Sequence, residues 1–257
     1  MGHAAITGYI DVAQVTLYLF WIFFAGLIYY LHREDKREGY PLEHDHPSGR
    51  IVVQGYPSVP RAKSFFTKEH GLITVPKMEN DRRHVALVPS AYWPGAPLDP
   101  TGNPMVDGVG PASYANREDT PELSIDGHDV LAPMRISPEN TIAKEDPDPR
   151  GMVVLGADGL VAGAVRDVWV DRQEVMIRYL EVELPGALRT VLLPMAMSRI
   201  SRTRRTVKVA SILASQFAEA PVLANPDRVT KLEEDKIVGY FAGGHLYATP
   251  DRMGPLL

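Results

Sequence analysis

Val12–Leu31 reads VAQVTLYLFWIFFAGLIYYL, twenty residues without a charge. As an α-helix rising about 1.5 Å per residue, such a run extends roughly 30 Å, the thickness of a bilayer's hydrocarbon core. His32-Arg33-Glu34-Asp35-Lys36-Arg37 follows at once and ends the apolar run. No later stretch is comparable. The chain therefore reads as one transmembrane helix over 12–31 followed by a large water-soluble part.

A cleaved signal peptide begins with a positive region, and residues 1–11, MGHAAITGYID, hold neither Lys nor Arg. Tyr29 and Tyr30 fall near the end of the run, where the aromatic belt of a span belongs. Gln14 and Thr16 are polar within it, and the expectation is that they face another protein or the near interface rather than lipid. Arg33, Lys36 and Arg37 follow the helix and no basic residue precedes it. The positive-inside rule then makes residues 1–11 a short periplasmic N-terminus and puts everything after the span in the cytoplasm. Cysteine is absent, so no disulfide holds the large part together.

The net charge of −5 gives no reason to expect a nucleic-acid partner. Of the 22 prolines, most fall between Pro41 and Pro149, and they divide the chain. Residues 32–115 carry YPLE, YPSVP and VPSAYWPGAPLDPTGNP, which exclude long helices and predict an extended cytoplasmic arm. The arm keeps Tyr56, Phe65, Phe66, Tyr92 and Trp93, more aromatic content than a loose tether needs. Such an arm gains order by lying against something. Residues 116–257 read as a domain. Its core, about 151–215, has short runs of β-formers split by turns, including Ala157-Asp158-Gly159, and predicts a small antiparallel barrel or sandwich. Thr230-Lys231-Leu232-Glu233 is a capping box that predicts a helix over about 231–243, closed by Gly243-Gly244.

The sequence lacks a cysteine nucleophile, a G-x-S-x-G elbow, a phosphate-binding loop and an H-E-x-x-H motif, so an enzyme is not indicated. His44-Asp45-His46 is a conceivable metal pair in a Pro-flanked polar stretch. Asp126-Gly127-His128-Asp129 sets two carboxylates beside an imidazole, a grouping suited to taking up protons or capturing Zn²⁺ adventitiously, or else a solvated turn. Glu174 falls in the turn Asp171-Arg172-Gln173-Glu174, with Arg178 on the next strand. Residue chemistry alone makes these a surface carboxylate and its counter-charge. Arg199, Arg202, Arg204, Arg205 and Lys208 form a basic run suited to a solvated face, anionic headgroups or an acidic partner.

Several stretches recur together in a known order: YLFWIFFAGLIYYL with REGYPLE, DGVGPAS, PELSIDGH, DVWVD with YLEVEL, LLPM, and LEEDKIVGYFAGGHLYA. In these the chain resembles the H subunit of the photosynthetic reaction centre of purple bacteria, nearly end to end. The resemblance implies a single membrane helix, a surface-hugging arm and a cytoplasmic β-domain of the PRC-barrel type. It implies a non-enzymatic subunit that caps the L and M subunits, shields the quinone sites and carries protons toward the secondary quinone. Bacteriochlorophyll, bacteriopheophytin, quinones and a non-haem iron would belong to those partners, with none ligated by this chain. Membrane lipid such as cardiolipin, a light-harvesting antenna ring and a cytochrome subunit are further partners the resemblance allows. The setting would be the bacterial inner, intracytoplasmic (chromatophore) membrane.

Residue by residue, the resemblance implies proton-transfer roles for Glu174, Arg178, His128 and Asp126. Glu174 matches a carboxylate near the secondary quinone pocket, although the turn before it differs. Arg178 matches a nearby basic residue. His128 matches one of two histidines at a proton entry point. Asp126 stands where the other histidine would be, and Ser124 replaces an acid, which counts against a metal site at Asp126 and His128. The other reading is a membrane-tethered PRC-barrel adaptor with no redox role.

Overall fold

The first helix, α1 (Val12–Asp35), begins where Asp11 caps it, its carboxylate accepting from the Gln14 N–H at 2.7 Å. The computed structural model describes residues 11–40, 42–46, 49–53, 55–68, 70–76, 83–186 and 189–253, with residues 43–46 and 49–53 as backbone only. The helix runs four residues past the apolar stretch, which costs little because Glu34 and Arg37 pair one turn apart at 2.8 Å. It is the one described helix long and apolar enough to cross a membrane. The two polar residues in it make local bonds: Thr16 Oγ1 donates to Val12 O at 2.8 Å and Gln14 Nε2 to Tyr18 Oη at 2.9 Å. Local i, i+4 bonds thus meet part of the hydrogen-bonding need of these side chains.

The chain divides into two units, residues 1–82 with 91–97, and residues 83–90 with 98–257. In the first unit, the arm after α1 is built from hairpins. β1 (Leu42–His46) pairs antiparallel with β2 (Gly49–Val53), and β3 (Lys63–Thr67) with β4 (Gly71–Val75). Prolines 57, 60 and 76 lie outside these four strands, as a residue that cannot donate to a ladder should. Arg37 Nη1 donates to Arg61 O at 2.8 Å and to Val75 O at 3.3 Å, and Lys36 Nζ donates to Pro57 O at 2.5 Å. The residues just after α1 therefore hold the base of the β3–β4 hairpin and the loop before it.

The second unit begins with β5 (Leu87–Pro89) paired to β6 (Leu98–Pro100). α2 (Pro104–Asp107) follows, capped by the Asn103 side chain at 3.1 Å from Met105 N. Residues 98–115, read from sequence as arm, belong to this unit, with Met105, Val109 and Ala112 all buried in it. The main sheet has seven strands, β7 (Leu131–Pro133), β8 (Val153–Leu155), β9 (Val161–Asp171), β10 (Met176–Glu183), β11 (Thr190–Pro194), β12 (Ser198–Ser201) and β13 (Thr206–Val209). Their order is β11-β10-β9-β8-β13-β12, with β7 also on β9. All pairings are antiparallel except β13 with β8, which is parallel, a departure from the wholly antiparallel expectation. β9 is long enough to serve three partners, and register shifts on its ladders with β8 and β10 twist it to do so. The path is an open one. The Ala157-Asp158-Gly159 turn is made by Gly159 at φ 76°, with Asp158 Oδ1 accepting from Leu160 N at 3.2 Å.

α3 (Lys231–Tyr247) starts at Thr230, whose hydroxyl accepts from Glu233 N at 3.1 Å while Glu233 returns the bond to Thr230 N at 2.9 Å. It buries Ile237, Tyr240 and Phe241 among Trp169, Phe217 and Leu180 of one core. It does not stop at Gly243-Gly244, as their sequence predicts, but continues one turn to Tyr247. These glycines are there for close approach. A methyl group at Gly239 would lie 2.7 Å from Ala112 O, one at Gly243 would lie 2.5 Å from Ala112 Cβ, and one at Gly244 would meet Ile212 and Ser211. The fold is one candidate membrane helix, an arm of hairpins, a mainly β domain and a C-terminal helix.

Candidate functional site

The turn between β9 and β10 is organised by an acid buried beneath it. Asp171 is 4% exposed. Its Oδ1 accepts from Gln173 N at 3.0 Å and Glu174 N at 2.9 Å, and its Oδ2 from Arg178 Nε at 3.3 Å. One carboxylate thus sets both the turn backbone and the cation that faces it. Glu174 itself reaches outward, 61% exposed at the side chain, with Arg178 Nη2 3.8 Å away. Val175 completes the turn at φ 52°, a left-handed conformation that a β-branched residue adopts only under constraint. Burial opposes the charge of the Arg178 guanidinium, and Asp171 and then Glu174 more than offset it.

The second predicted cluster is a small β-bridged loop. Leu123 and Asp129 form its bridge, Ser124 N donates to His128 O at 2.7 Å, and Gly127 turns the chain at φ 82°. Asp126 and His128 are exposed at its tip. Asp129 is held away from them by Arg228, at 2.8 Å to each carboxylate oxygen. The two clusters border one open cleft of about 550 Å³, lined by Asp126 and His128 on one side and Arg172 and Gln173 on the other. Glu174 and Arg178 are not among its lining residues. Glu139 bridges to Arg172 at 2.9 Å, and its own backbone N–H together with Arg172 holds its carboxyl below the usual range. Among the described residues no group of three or more His, Asp or Glu is placed to hold a metal ion. The His44-Asp45-His46 side chains lie outside the described residues.

Two further groups were not singled out by sequence. Tyr179 Oη donates to Glu234 Oε1 at 2.8 Å, and both are largely withdrawn from water. Burial raises the Glu234 carboxyl above its ordinary value, and nearby Glu122 adds to the shift against the opposing Tyr179 hydrogen bond. Burial and then the Glu234 charge push the Tyr179 hydroxyl up as well. Glu234 sits inside the quoted LEEDK stretch, but its partner is 55 residues away in sequence, so no local pattern marks it. Arg135, also unremarked, reaches Glu181 at 2.6 Å, Asp167 at 3.1 Å and Asp227 at 2.8 Å, and Glu181 also accepts from Trp169 Nε1 at 3.1 Å. The basic run forms the β12–β13 hairpin. Arg199 faces Lys208 across the ladder, and Arg202, Arg204 and Arg205 are exposed in the turn.

A single candidate span, an arm of hairpins and a mainly β domain point to a membrane-anchored protein of the PRC-barrel kind; residues 142–215 match the PRC-barrel domain. Residues 4–136, just over half of the chain, match the N-terminal region of the photosynthetic reaction centre H-chain. The chain belongs to the reaction centre H-chain family. It is a structural subunit of a photosynthetic reaction centre, associated with the L and M subunits, in a family that does not bind the pigments.

Proposed function

We propose that this chain caps the cytoplasmic faces of the L and M subunits, shields their quinone sites from bulk water and helps deliver protons to the secondary quinone. The observation that carries the proposal is the buried Asp171, which anchors the backbone of the Glu174 turn and pairs with Arg178 on β10, while the turn's Arg172 and Gln173 line a cleft with Asp126 and His128. Quinone bound in the partner subunits takes up two electrons and two protons per turnover. A subunit that covers it must exclude water while keeping a titratable route open.

In this reading Asp126 and His128 gather protons at the exposed rim, since imidazole and carboxyl groups exchange protons readily with water. Glu174 passes a proton on at the outer end of the β9–β10 turn, and water bridges the intervals between these groups. Arg178 balances the carboxylate charge when the proton leaves. The N-terminus lies in the periplasm, the domain lies in the cytoplasm, and the membrane is the intracytoplasmic one; Arg33, Lys36 and Arg37 after the span support this orientation. Bacteriochlorophyll, bacteriopheophytin, quinones and non-haem iron belong to the partner subunits.

Glu174→Gln keeps the shape of the turn and removes the exchangeable proton. In flash-induced absorbance kinetics on assembled complexes, the first electron transfer to the secondary quinone should change modestly. The second, coupled to proton uptake, should slow on the order of tenfold, about 1.4 kcal/mol of barrier, and more at alkaline pH. A second transfer at wild-type speed from neutral to alkaline pH would remove Glu174 from the proton route. Failure of the chain to co-purify with bacteriochlorophyll-containing subunits would favour a PRC-barrel adaptor without a redox role.

A further inference from the structure

The β3–β4 hairpin presents two unlike faces. Side chains alternate along a strand, so Phe65 and its cross-strand partner Ile73 share one face, while Phe66, Leu72, Ser64 and Thr74 share the other. Ile73 is half-buried. On the opposite face Phe66 is 84% exposed and Leu72 is 71% exposed, side by side near the tip. Ser64 and Thr74 join hydroxyls at 2.8 Å behind them. A cross-strand aromatic–aliphatic pair stabilises a hairpin, but full exposure of both members to water forgoes most of the benefit of apolar burial.

The hairpin's attachment says what covers that face. Arg37, at the end of α1, hydrogen-bonds to Arg61 O and Val75 O at the hairpin's two ends. Lys63 lies 3.9 Å from Glu34 of the same helix. The preceding loop folds back along the span: Tyr56, 83% exposed, has its ring 6.2 Å from that of Tyr29, and Lys36 holds Pro57 O. Tyr29 precedes Lys36 by seven residues, about 10 Å along the helix axis, inside the apolar run. Tyr56 is therefore carried to the depth of the span's own aromatic belt. An aromatic beside the belt, an exposed apolar pair and lysines at positions 63 and 68 have the composition of a membrane interface.

We infer that the Tyr56 loop and the β3–β4 hairpin form a lipid-facing collar around the end of α1, with Phe66 and Leu72 inserted at the headgroup–acyl boundary of the bilayer. The inference rests on α1 spanning the membrane and adds a second, monotopic contact to it. It assigns the exposed face to phospholipid rather than to a partner protein.

The chain contains no cysteine, so single nitroxide labels can be placed without background. The full chain, reconstituted in phospholipid nanodiscs both alone and assembled with the L and M subunits, is labelled after Phe66→Cys, Leu72→Cys, Ile22→Cys within the span, and Leu160→Cys as a solvent-exposed reference in the second unit; oxygen access at 66 and 72 that is lost on assembly would give the face to those partners instead of lipid. Power-saturation measurements compare accessibility to oxygen with accessibility to a water-soluble nickel complex. The oxygen preference at positions 66 and 72 should exceed that at position 160 several-fold and fall short of that at position 22. If position 22 lies in hydrocarbon while 66 and 72 match position 160, the collar is wrong and the span stands. If position 22 is also aqueous, the span reading fails and takes the collar with it. Phe66→Trp guards against a hairpin disturbed by the label: brominated-lipid quenching beyond that of the wild-type chain supports insertion, and its absence overturns it.

Discussion

At the scale of single residues, Glu234 shows how a partly buried acid makes stability depend on pH. Its folded-state value lies above the ordinary 4.5, so the folded chain keeps this proton at pH values where the unfolded chain has released it. The stabilisation is complete at low pH and is lost as pH rises through the folded value. Glu234→Gln, which still accepts from Tyr179, should remove that loss. Thermal melts should show the variant gaining on wild type as pH rises from 4.5 toward neutrality; parallel curves would mean that Glu234 is not held protonated. Legibility at this scale is uneven. Glu174 and Arg178 were visible as a turn acid and a neighbouring base, four residues apart. The role of Asp171 was not, because a buried carboxylate that accepts three hydrogen bonds looks in sequence like any acid at the start of a turn.

At the scale of elements, the Arg135 cluster fastens the segment after β7 to β9, β10 and the 226–227 loop. Burial opposes the Arg135 charge, and the bonds to Glu181, Asp227 and Asp167 more than compensate. Glu181 is 3% exposed, so removing Arg135 leaves a buried charge met only by Trp169 Nε1 and, at 3.8 Å, by the half-exposed Arg166. Arg135→Met should cost about 3 kcal/mol in chemical denaturation, and Arg135→Met with Glu181→Met should recover part of that. A loss below about 1 kcal/mol would mean that solvent already screens the cluster. The helix elements were legible to different degrees for a physical reason. A capping box is a local exchange of hydrogen bonds, so Thr230 and Glu233 announced the start of α3. A glycine pair has two uses, left-handed backbone at a helix end or contact distance inside a helix, and only the neighbour decides. Ala112 and Ser211 decided it for α3, from more than thirty residues away. The parallel β13–β8 pairing was hidden likewise, since alternation along a strand marks its faces and not the direction of its partner.

At the scale of the whole molecule, every member of the buried core cluster, from Met105 to Phe241, belongs to the second unit. A fragment comprising residues 83–257 should therefore fold without α1, melt within a few degrees of the domain in the full chain, and enter the aqueous phase in detergent phase separation while the full chain enters the detergent phase. Loss of cooperative melting would show that the first unit contributes to the core. Proline placement set residues 32–115 apart as an arm, whereas Met105, Val109 and Ala112 are buried in the second unit, a packing made by contacts far apart in sequence that no local pattern marks. The same division has a consequence for how the chain is cut. The backbone passes between the units three times, after residues 82, 90 and 97, because the 91–97 loop returns to the first unit. A single cut just before residue 83 would separate residues 1–82 covalently from the rest, yet leave the 91–97 loop, a part of the first unit, on the other fragment. The anchor fragment would then be held only by its non-covalent packing with that loop, and the cut domain would leave the membrane only once that packing opened.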